Sequence, residues 1–349
     1  MKKYTKKDLK EIKFLINDFI VKNDYGFIYD HLLEFGYICE LIYRSSVPYL
    51  DNMDEISSLK DYLNFPVYSG KERIDIVNKF YQEHKIDFNT DDVINRGILT
   101  SEHNTYFEEI EKQRIYRPYL GGLCTFYNEK GHVTVKVPNS GYISDCSVII
   151  HELSHYRDQR PGDSIPISRE FFTEALAYTE EYIFWKDNED KFPESKYFMQ
   201  RSLSALIQDA IMMESIISIV LVFLELGDID KESYEMYFGS SEDYEDDLDV
   251  LIDTINEQNF DLIQIIDYII ALILFPYMYY SYQKDNTFME KITNLHELVQ
   301  ENSFEDCLKY IGINDISFEE IKKVSEFFNL LLSELYTIQK EDIKTLDQK

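Results

Sequence analysis

Apolar residues recur at intervals of three and four along most of this chain, and this spacing constrains its fold more than any other feature. Such an interval places side chains on one face of an α-helix. Glycine and proline, which interrupt helices, are scarce, with 12 and 8 among 349 residues. The sequence therefore predicts a mainly helical protein, with N-terminal helices near 6–22, 26–44, 53–64, 70–84 and 91–114.

One stretch, Arg117–Gly141, breaks the helical spacing. It contains four glycines and two β-rich runs, LCTFY and HVTVKV, separated by an EKG sequence that is typical of a tight turn. We expect a small β-hairpin set into helical surroundings. We divide the chain into an N-terminal helical region (1–115), a core region (116–285) and C-terminal helices packed on the core (286–349), together forming one globular unit.

The net charge of −30 limits the partners of the protein. Lys and Arg number 35 against 65 Asp and Glu, so the surface repels phosphate backbones and anionic lipid head groups, and nucleic-acid binding is disfavoured. Two apolar segments, Ala205–Gly227 and Leu262–Tyr282, approach the length of a membrane span. Each contains acidic residues that would be costly in lipid. We therefore expect buried helices and no stable membrane insertion.

The N-terminus and the cysteines predict the compartment. The start, MKKYTKKDLKEIKF, is basic but lacks the uninterrupted apolar run of a signal peptide. The four cysteines are scattered without CxxC spacing. A cytoplasmic protein without disulfides is the simplest interpretation.

The sequence VIIHELSHYRD carries the first candidate functional residues. His151 and His155 are four residues apart, so on a helix both project from one face, at the spacing that lets two imidazoles bind one metal. Glu152 points about 100° away, which suits contact with a water on the metal better than ligation. Ser144 or Asp145 can cap this helix.

A second His-Glu pair serves as an internal comparison. His296 and Glu297 are followed by Gln300 at the position where a second histidine would be needed. We interpret this pair as part of a solvated helix face.

A third metal ligand is expected on the next predicted helix, because a catalytic zinc ion takes three protein ligands and keeps one position open. Glu174, 19 residues after His155, lies in the apolar-periodic segment Ser168–Phe184. The small residues Ala175 and Ala177 would let this helix approach the HELSH helix closely. We therefore predict one Zn²⁺ ion bound by the two histidines and Glu174. The alternative is an ordinary amphipathic helix with two surface histidines.

Two further carboxylates are candidates to orient the ligating histidines. Glu181 is seven residues after Glu174 and shares its helix face, and Asp158 lies one turn after His155. A hydrogen bond to the second ring nitrogen fixes a metal-binding histidine.

Together these residues resemble the gluzincins, metallopeptidases with HExxH on one helix and a zinc-binding glutamate on the next. The best match is the thimet oligopeptidase and oligoendopeptidase F family, in a shortened form, over about residues 115–285. A glycine-marked hairpin, the TEALAYTEE helix and the tyrosine-rich segment FPYMYYSYQ (Phe275–Gln283) carry the resemblance. It implies a zincin-like fold, with zinc bound by His151, His155 and Glu174 and with Glu152 as general base.

The same resemblance implies how substrate is held. Tyr280, with Tyr277 and Tyr279 as neighbours, would donate a hydrogen bond to the oxyanion that forms during hydrolysis. The strand His132–Val137 would form the edge of the sheet and pair with an extended peptide.

The expected function is zinc-dependent hydrolysis of internal peptide bonds, with oligopeptides as substrates. Three alternatives stay open. One is a non-catalytic zinc protein that binds peptides or regulates. Another is a specialised protein-cleaving gluzincin, of the lethal-factor-like, Pro-Pro endopeptidase or ImmA/IrrE type. The third is a membrane-associated peptidase with the two apolar segments inserted.

Overall fold

The protein is mainly helical, as the spacing predicts. The computed structural model describes residues 5–22, 31–53, 65–96, 99–101, 104–105, 123–127, 132–158, 167–256 and 262–336. The α-helices within these residues are α1 (Lys6–Lys22), α2 (Leu32–Ser46), α3 (Gly70–Glu83), α4 (Thr90–Asn95), α5 (Ser144–Arg157), α6 (Ile167–Asn188), α7 (Ser195–Leu226), α8 (Lys231–Phe238), α9 (Tyr244–Asn256), α10 (Leu262–Lys284), α11 (Phe288–Leu298), α12 (Phe304–Ile311) and α13 (Phe318–Tyr336).

A small sheet precedes α5. Its strands are β1 (Leu99–Ser101), β2 (Asn104–Thr105), β3 (Leu123–Tyr127) and β4 (His132–Lys136), in the order β2-β1-β4-β3. The predicted hairpin is present as the antiparallel pair β3 and β4. The predicted helix 91–114 is wrong, because α4 ends at Asn95 and β1 follows. Strand β1 pairs in parallel with β4, with Leu99 opposite Val135. No local periodicity of the sequence reveals a pairing between such distant segments.

The sheet also corrects the predicted peptide-binding edge. Strand β4 pairs with β3 on one side and with β1 on the other, so it lies inside the sheet. Among the described strands, β2 and β3 each have a neighbour on one side only. The strand predicted at His132–Val137 is therefore an interior strand, and β2 and β3 take the edge positions.

Helix α6 lies at the centre of the helical core, where α5, α7, α10 and α12 all pack against it. Large aromatic side chains fill these contacts. Trp185 of α6 stacks on Phe198 of α7 with the rings 12° from parallel, and Tyr182 meets Phe275 of α10 at 4.7 Å between ring centroids. Full burial of each such side chain contributes about 1.5–3 kcal/mol. The candidate ligand Glu174 is thereby held on a firmly packed helix.

The two apolar segments expected to be buried helices form α7 and α10. Both lie against α6 and against each other, and most of their described apolar side chains are buried. Within the described residues, none of the helices combines the length and the apolar character needed to cross a bilayer. Helix α13 packs on α2, α7 and α10. The predicted boundaries at residues 115 and 285 stay predictions.

Candidate metal centre

Both histidines of the HELSH sequence lie on one face of α5. Val148, Ile149 and Leu153 on the same helix are buried, so packing fixes the helix on its other sides. The Nε2 atoms of His151 and His155 are 3.1 Å apart, and both side chains are largely buried. The sequence spacing thus produces the pair of converging imidazoles that it predicts.

Glu174 of α6 completes a cluster of three. Its Oε2 lies 3.3 Å from His151 Nε2, and its Oε1 lies 3.4 Å from His155 Nε2. The candidate ligand atoms of the three residues all lie within 4.8 Å of one another. Ala175 and Ala177 are fully buried on the same helix, which agrees with the expected close approach of α6 to α5.

The electrostatics of the cluster favour positive charge at its centre. Burial raises the pKa of the Glu174 carboxyl, but the charges and hydrogen bonds of His155 and His151 outweigh it and hold this pKa well below its ordinary value. Burial lowers the pKa of His151, but the carboxylates of Glu174 and Glu181 raise it further, to well above its ordinary value. An ionised carboxylate is therefore buried against two imidazoles.

The donor set fits a zinc ion. Two Nε2 atoms 3.1 Å apart need a cation or a shared proton between them, because their lone pairs would otherwise repel. Tetrahedral zinc with bonds of about 2.0–2.1 Å places its ligand atoms about 3.3–3.4 Å apart. The two Nε2 atoms here are 3.1 Å apart, and they lie 3.3 and 3.4 Å from the two different oxygens of Glu174, so the carboxylate spans both imidazoles. The buried Glu174 Oε2 lies 3.3 Å from His151 Nε2 but outside regular hydrogen-bond geometry, as expected of an oxygen suited to bind a metal.

Glu181 lies behind the cluster, where its spacing from Glu174 predicts it. Its Oε2 is 3.3 Å from His151 Nδ1, an ion-pair distance. Its other oxygen accepts hydrogen bonds from the hydroxyls of Ser147 on α5, at 3.5 Å, and Ser202 on α7, at 3.3 Å. Glu181 can therefore fix the orientation of His151, with its own position set by two neighbouring helices.

Tyr178 is a site residue that sequence reasoning missed. Its ring meets the His151 imidazole edge-on, with 4.7 Å between centroids, and rests in turn on Phe275 of α10. A signal for it exists in the sequence. Tyr178 is four residues after Glu174 and three before Glu181, so all three share one face of α6.

Glu152 follows the first histidine and is buried beside the pair. Burial raises the pKa of its carboxyl, and the charges of His155 and His151 offset only part of that increase. The pKa therefore lies above its ordinary value, in the direction that suits a group accepting and returning a proton.

The predicted tyrosines are not brought to this cluster. Tyr277 Oη donates to the Ile311 carbonyl at 2.9 Å, and Tyr280 Oη donates to a Glu334 carboxylate oxygen at 2.7 Å. Both hydroxyls thus have partners on or next to α12 and α13, and Tyr279 packs between Tyr280 and Tyr182. The role of oxyanion donor for Tyr280 or Tyr277 stays a prediction, and in this structure both hydroxyls are bonded to the C-terminal helices.

Two further expectations are wrong. His296, interpreted as part of a solvated face, is buried, with Nδ1 hydrogen-bonded to Asp158 and Nε2 at 3.0 Å from Glu180. Asp158, considered as a partner for a ligating histidine, is instead the partner of His296. The physical reason is that α11 packs against the end of α5, a contact between segments 138 residues apart.

Comparisons with known proteins identify the fold. No model of a protein family matches the sequence, and no curated protein matches it. Two solved structures are similar. One is described as an oligoendopeptidase F from Bacillus anthracis str. Ames, with a TM-score of 0.50 and 14% identity over 87% of this chain. The other is PZ peptidase A with an inhibitor, with a TM-score of 0.53 and 14% identity over 96% of this chain.

The chain has the fold of these two peptidases but spans only part of them. It covers 57% of the first structure and 59% of the second. The mainly helical fold class expected from the sequence is confirmed. At 14% identity the likeness establishes the fold and leaves the chemistry to the residues of this chain.

Proposed function

We propose that this protein is a zinc-dependent peptidase that hydrolyses internal bonds of oligopeptides. The observation that carries the proposal is the convergence of His151, His155 and Glu174, whose candidate ligand atoms all lie within 4.8 Å of one another, with the two imidazole nitrogens 3.1 Å apart. The two proteins of similar fold are described as an oligoendopeptidase and a peptidase, which supports the same reaction class.

In the proposed reaction, a zinc ion held by these three residues would supply Lewis-acid activation of a water molecule. Glu152 takes a proton from the water as its oxygen attacks the peptide carbonyl carbon. Glu152 then gives that proton to the leaving nitrogen as the C–N bond breaks, so the carboxylate is regenerated. Glu181 keeps the His151 ring in one orientation, and Tyr178 forms a wall of the site against that ring.

The sheet supports a peptide as the substrate class. An extended peptide can add to a sheet edge through backbone hydrogen bonds. Of the two edge strands among the described residues, β2 and β3, it is β3 that packs against α5, the helix that carries the histidines. We therefore assign peptide pairing to β3 in place of β4.

The chain offers a matched pair of variants for testing the general base. Glu152→Gln keeps the size of the side chain but cannot accept a proton, so zinc should stay bound while cleavage of a mixed peptide library falls by at least about 10³-fold. Glu297→Gln makes the same change in the second His-Glu pair, where the glutamate is exposed, and should leave cleavage unchanged. Mass spectrometry of the products measures both.

Two outcomes would count against the proposal. Cleavage by Glu152→Gln at the wild-type rate would remove the assigned base. Stoichiometric zinc in the wild type, without turnover of any peptide of about 5–20 residues, would favour a non-catalytic zinc protein instead.

A further inference from the structure

Four charged side chains form a closed cluster at the C-terminal end of α5, and the proposed reaction uses none of them. Arg157 and Asp158 belong to the end of α5, Glu180 to α6 and His296 to α11. Arg157 hydrogen-bonds both oxygens of Glu180, and His296 bridges Asp158 and Glu180 through its two ring nitrogens. Asp158, Glu180 and His296 are buried, and only 12% of the Arg157 side chain is exposed.

The charges of the cluster sum to zero when His296 is protonated. Nδ1 faces Asp158, and Nε2 faces both a Glu180 oxygen at 3.0 Å and Arg157 Nη2 at 3.2 Å. In the imidazolium form both ring nitrogens donate to these carboxylates. Arg157 and His296 then carry two positive charges against the two negative charges of Asp158 and Glu180. The other described titratable side chain close to the cluster is Tyr81 of α3, whose ring centroid is 5.7 Å from the Arg157 guanidinium carbon.

The contacts from α11 and from the turn after it converge on Asp158, the residue that follows α5. Gln300, one turn after His296, donates to the Asp158 backbone carbonyl at 2.8 Å. His296 thus holds the side chain of Asp158, and Gln300 holds its carbonyl. The end of a helix leaves carbonyl groups without helical partners, and Gln300 supplies a donor to one of them. In the second His-Glu pair of the sequence, His296 is therefore part of a helix-anchoring contact, whereas Glu297 is exposed.

The cluster lies next to the proposed metal ligands along both helices. Asp158 follows His155 by three residues, and Glu180 precedes Glu181, whose carboxylate faces His151. A shift of α5 against α6 would change the separations between the histidines and Glu174. Those separations depend on how the two helices are docked, and the cluster joins the two helices to each other and to α11.

We propose that His296, assisted by Gln300, is a positioning residue of the metal centre: it docks the end of α5 against α6 so that His155 faces Glu174. This inference rests on the proposed zinc site. It assigns a function to a histidine 122 residues beyond the last ligand, through contacts with Asp158 and Glu180 and without contact with the metal ligands themselves.

Two substitutions separate the two contacts of His296. In His296→Asn the amide lies near the place of Nδ1 and can still donate to Asp158. In His296→Gln the amide lies near the place of Nε2, so the contact with Asp158 is lost. His84→Gln is the matched control, since His84 also pairs with an α6 carboxylate, Asp187 at 2.8 Å, but contacts no member of the metal cluster.

The measurements are zinc affinity, by competition with a chromogenic chelator, and the visible absorption of the cobalt-substituted protein, neither of which depends on catalysis. Loss of a residue that orients a metal site typically weakens metal binding about 10- to 100-fold. We expect at least a 10-fold loss and an altered cobalt spectrum for His296→Gln. We expect a smaller loss for His296→Asn, and wild-type behaviour for His84→Gln.

Several outcomes would overturn the inference. The first is a folded His296→Gln variant that has the zinc affinity and the cobalt spectrum of the wild type. The second is an equal loss of zinc affinity in His84→Gln, which would indicate general destabilisation. If neither His296 variant folds, Gln300→Ala removes a single hydrogen bond to the same carbonyl. It should weaken zinc binding by a few-fold, and unchanged affinity would refute the positioning role. A wild-type protein that takes up no zinc would overturn the proposed function as well.

Discussion

Removing the carboxylate of Asp145 should strongly destabilise the protein, because Asp145 anchors the N-terminal end of the metal-site helix. Arg73 of α3, which is 1% exposed, forms an ion pair with Asp145 and donates to Asn139 Oδ1 at 2.8 Å. Asp145 also accepts from Ser140 Oγ at 2.5 Å and from the Gly141 backbone nitrogen at 2.9 Å. Asp145→Ala would leave a guanidinium group buried without its counter-charge.

The expected magnitude follows from that burial. Breaking a buried ion pair on one side costs about 3–5 kcal/mol, because the remaining charge is uncompensated. At an unfolding entropy of about 2.1 cal/mol/K per residue, 349 residues give roughly 0.7 kcal/mol/K, so the melting temperature should fall by about 4–7 °C. Circular dichroism during urea titration and calorimetry measure the two quantities.

A control on α3, the helix that carries Arg73, tests the reasoning. Glu83 of α3 pairs with Lys79 at 3.3 Å, and both side chains are more than half exposed. Glu83→Ala should change the unfolding free energy by less than about 0.5 kcal/mol. A loss below about 1 kcal/mol for Asp145→Ala, or equal losses for both variants, would refute the assignment of Asp145 as a buried anchor.

Two further predictions concern Glu174 and Glu180. Glu174→Gln replaces the only carboxylate among the three ligands with a weaker neutral donor. Zinc affinity in chelator competition should fall by more than about 100-fold with the fold retained, and a loss under about 10-fold would contradict ligation. Burial raises the pKa of Glu180, but Arg157 and His296 lower it to about 2, from an ordinary value of 4.5. The depressed pKa stabilises the folded state above about pH 4.5, and that stability, about 3 kcal/mol, is lost as the pH falls towards 2. The urea concentration at the unfolding midpoint should therefore fall less steeply for Glu180→Gln than for the wild type as the pH is lowered from 5 to 2. An equally steep fall in both proteins would refute this source of stability.

The sequence predicts the features that depend on neighbouring residues along one helix. The four-residue interval of His151 and His155 places both on one face, and the seven-residue interval of Glu174 and Glu181 does the same on α6. Tyr178 was overlooked, although the same interval rule reveals it. The buried character of α7 and α10 also follows from local composition, since their acidic residues would be costly in a membrane.

Features that depend on distant segments could not be obtained in this way. Strand β1 exists because β4 pairs with it, so a locally helical pattern near 91–114 was misleading. Asp145 has the chemistry of a helix cap, but a buried arginine from α3 takes its carboxylate. His296 has no local sign of burial, and only the packing of α11 on α5 explains it.

Zinc K-edge X-ray absorption on the zinc-loaded wild-type protein tests the central claim most directly. If the ligands are His151, His155 and Glu174, the protein binds one zinc per chain, with only nitrogen and oxygen neighbours at about 2.0–2.2 Å. The spectrum should also show the scattering pattern of two imidazoles. None of the three predicted ligands is a cysteine, and Cys39, Cys146 and Cys307 are free and buried, so no sulfur neighbour is expected. Sulfur at about 2.3 Å, or zinc well below one per chain, would contradict the account.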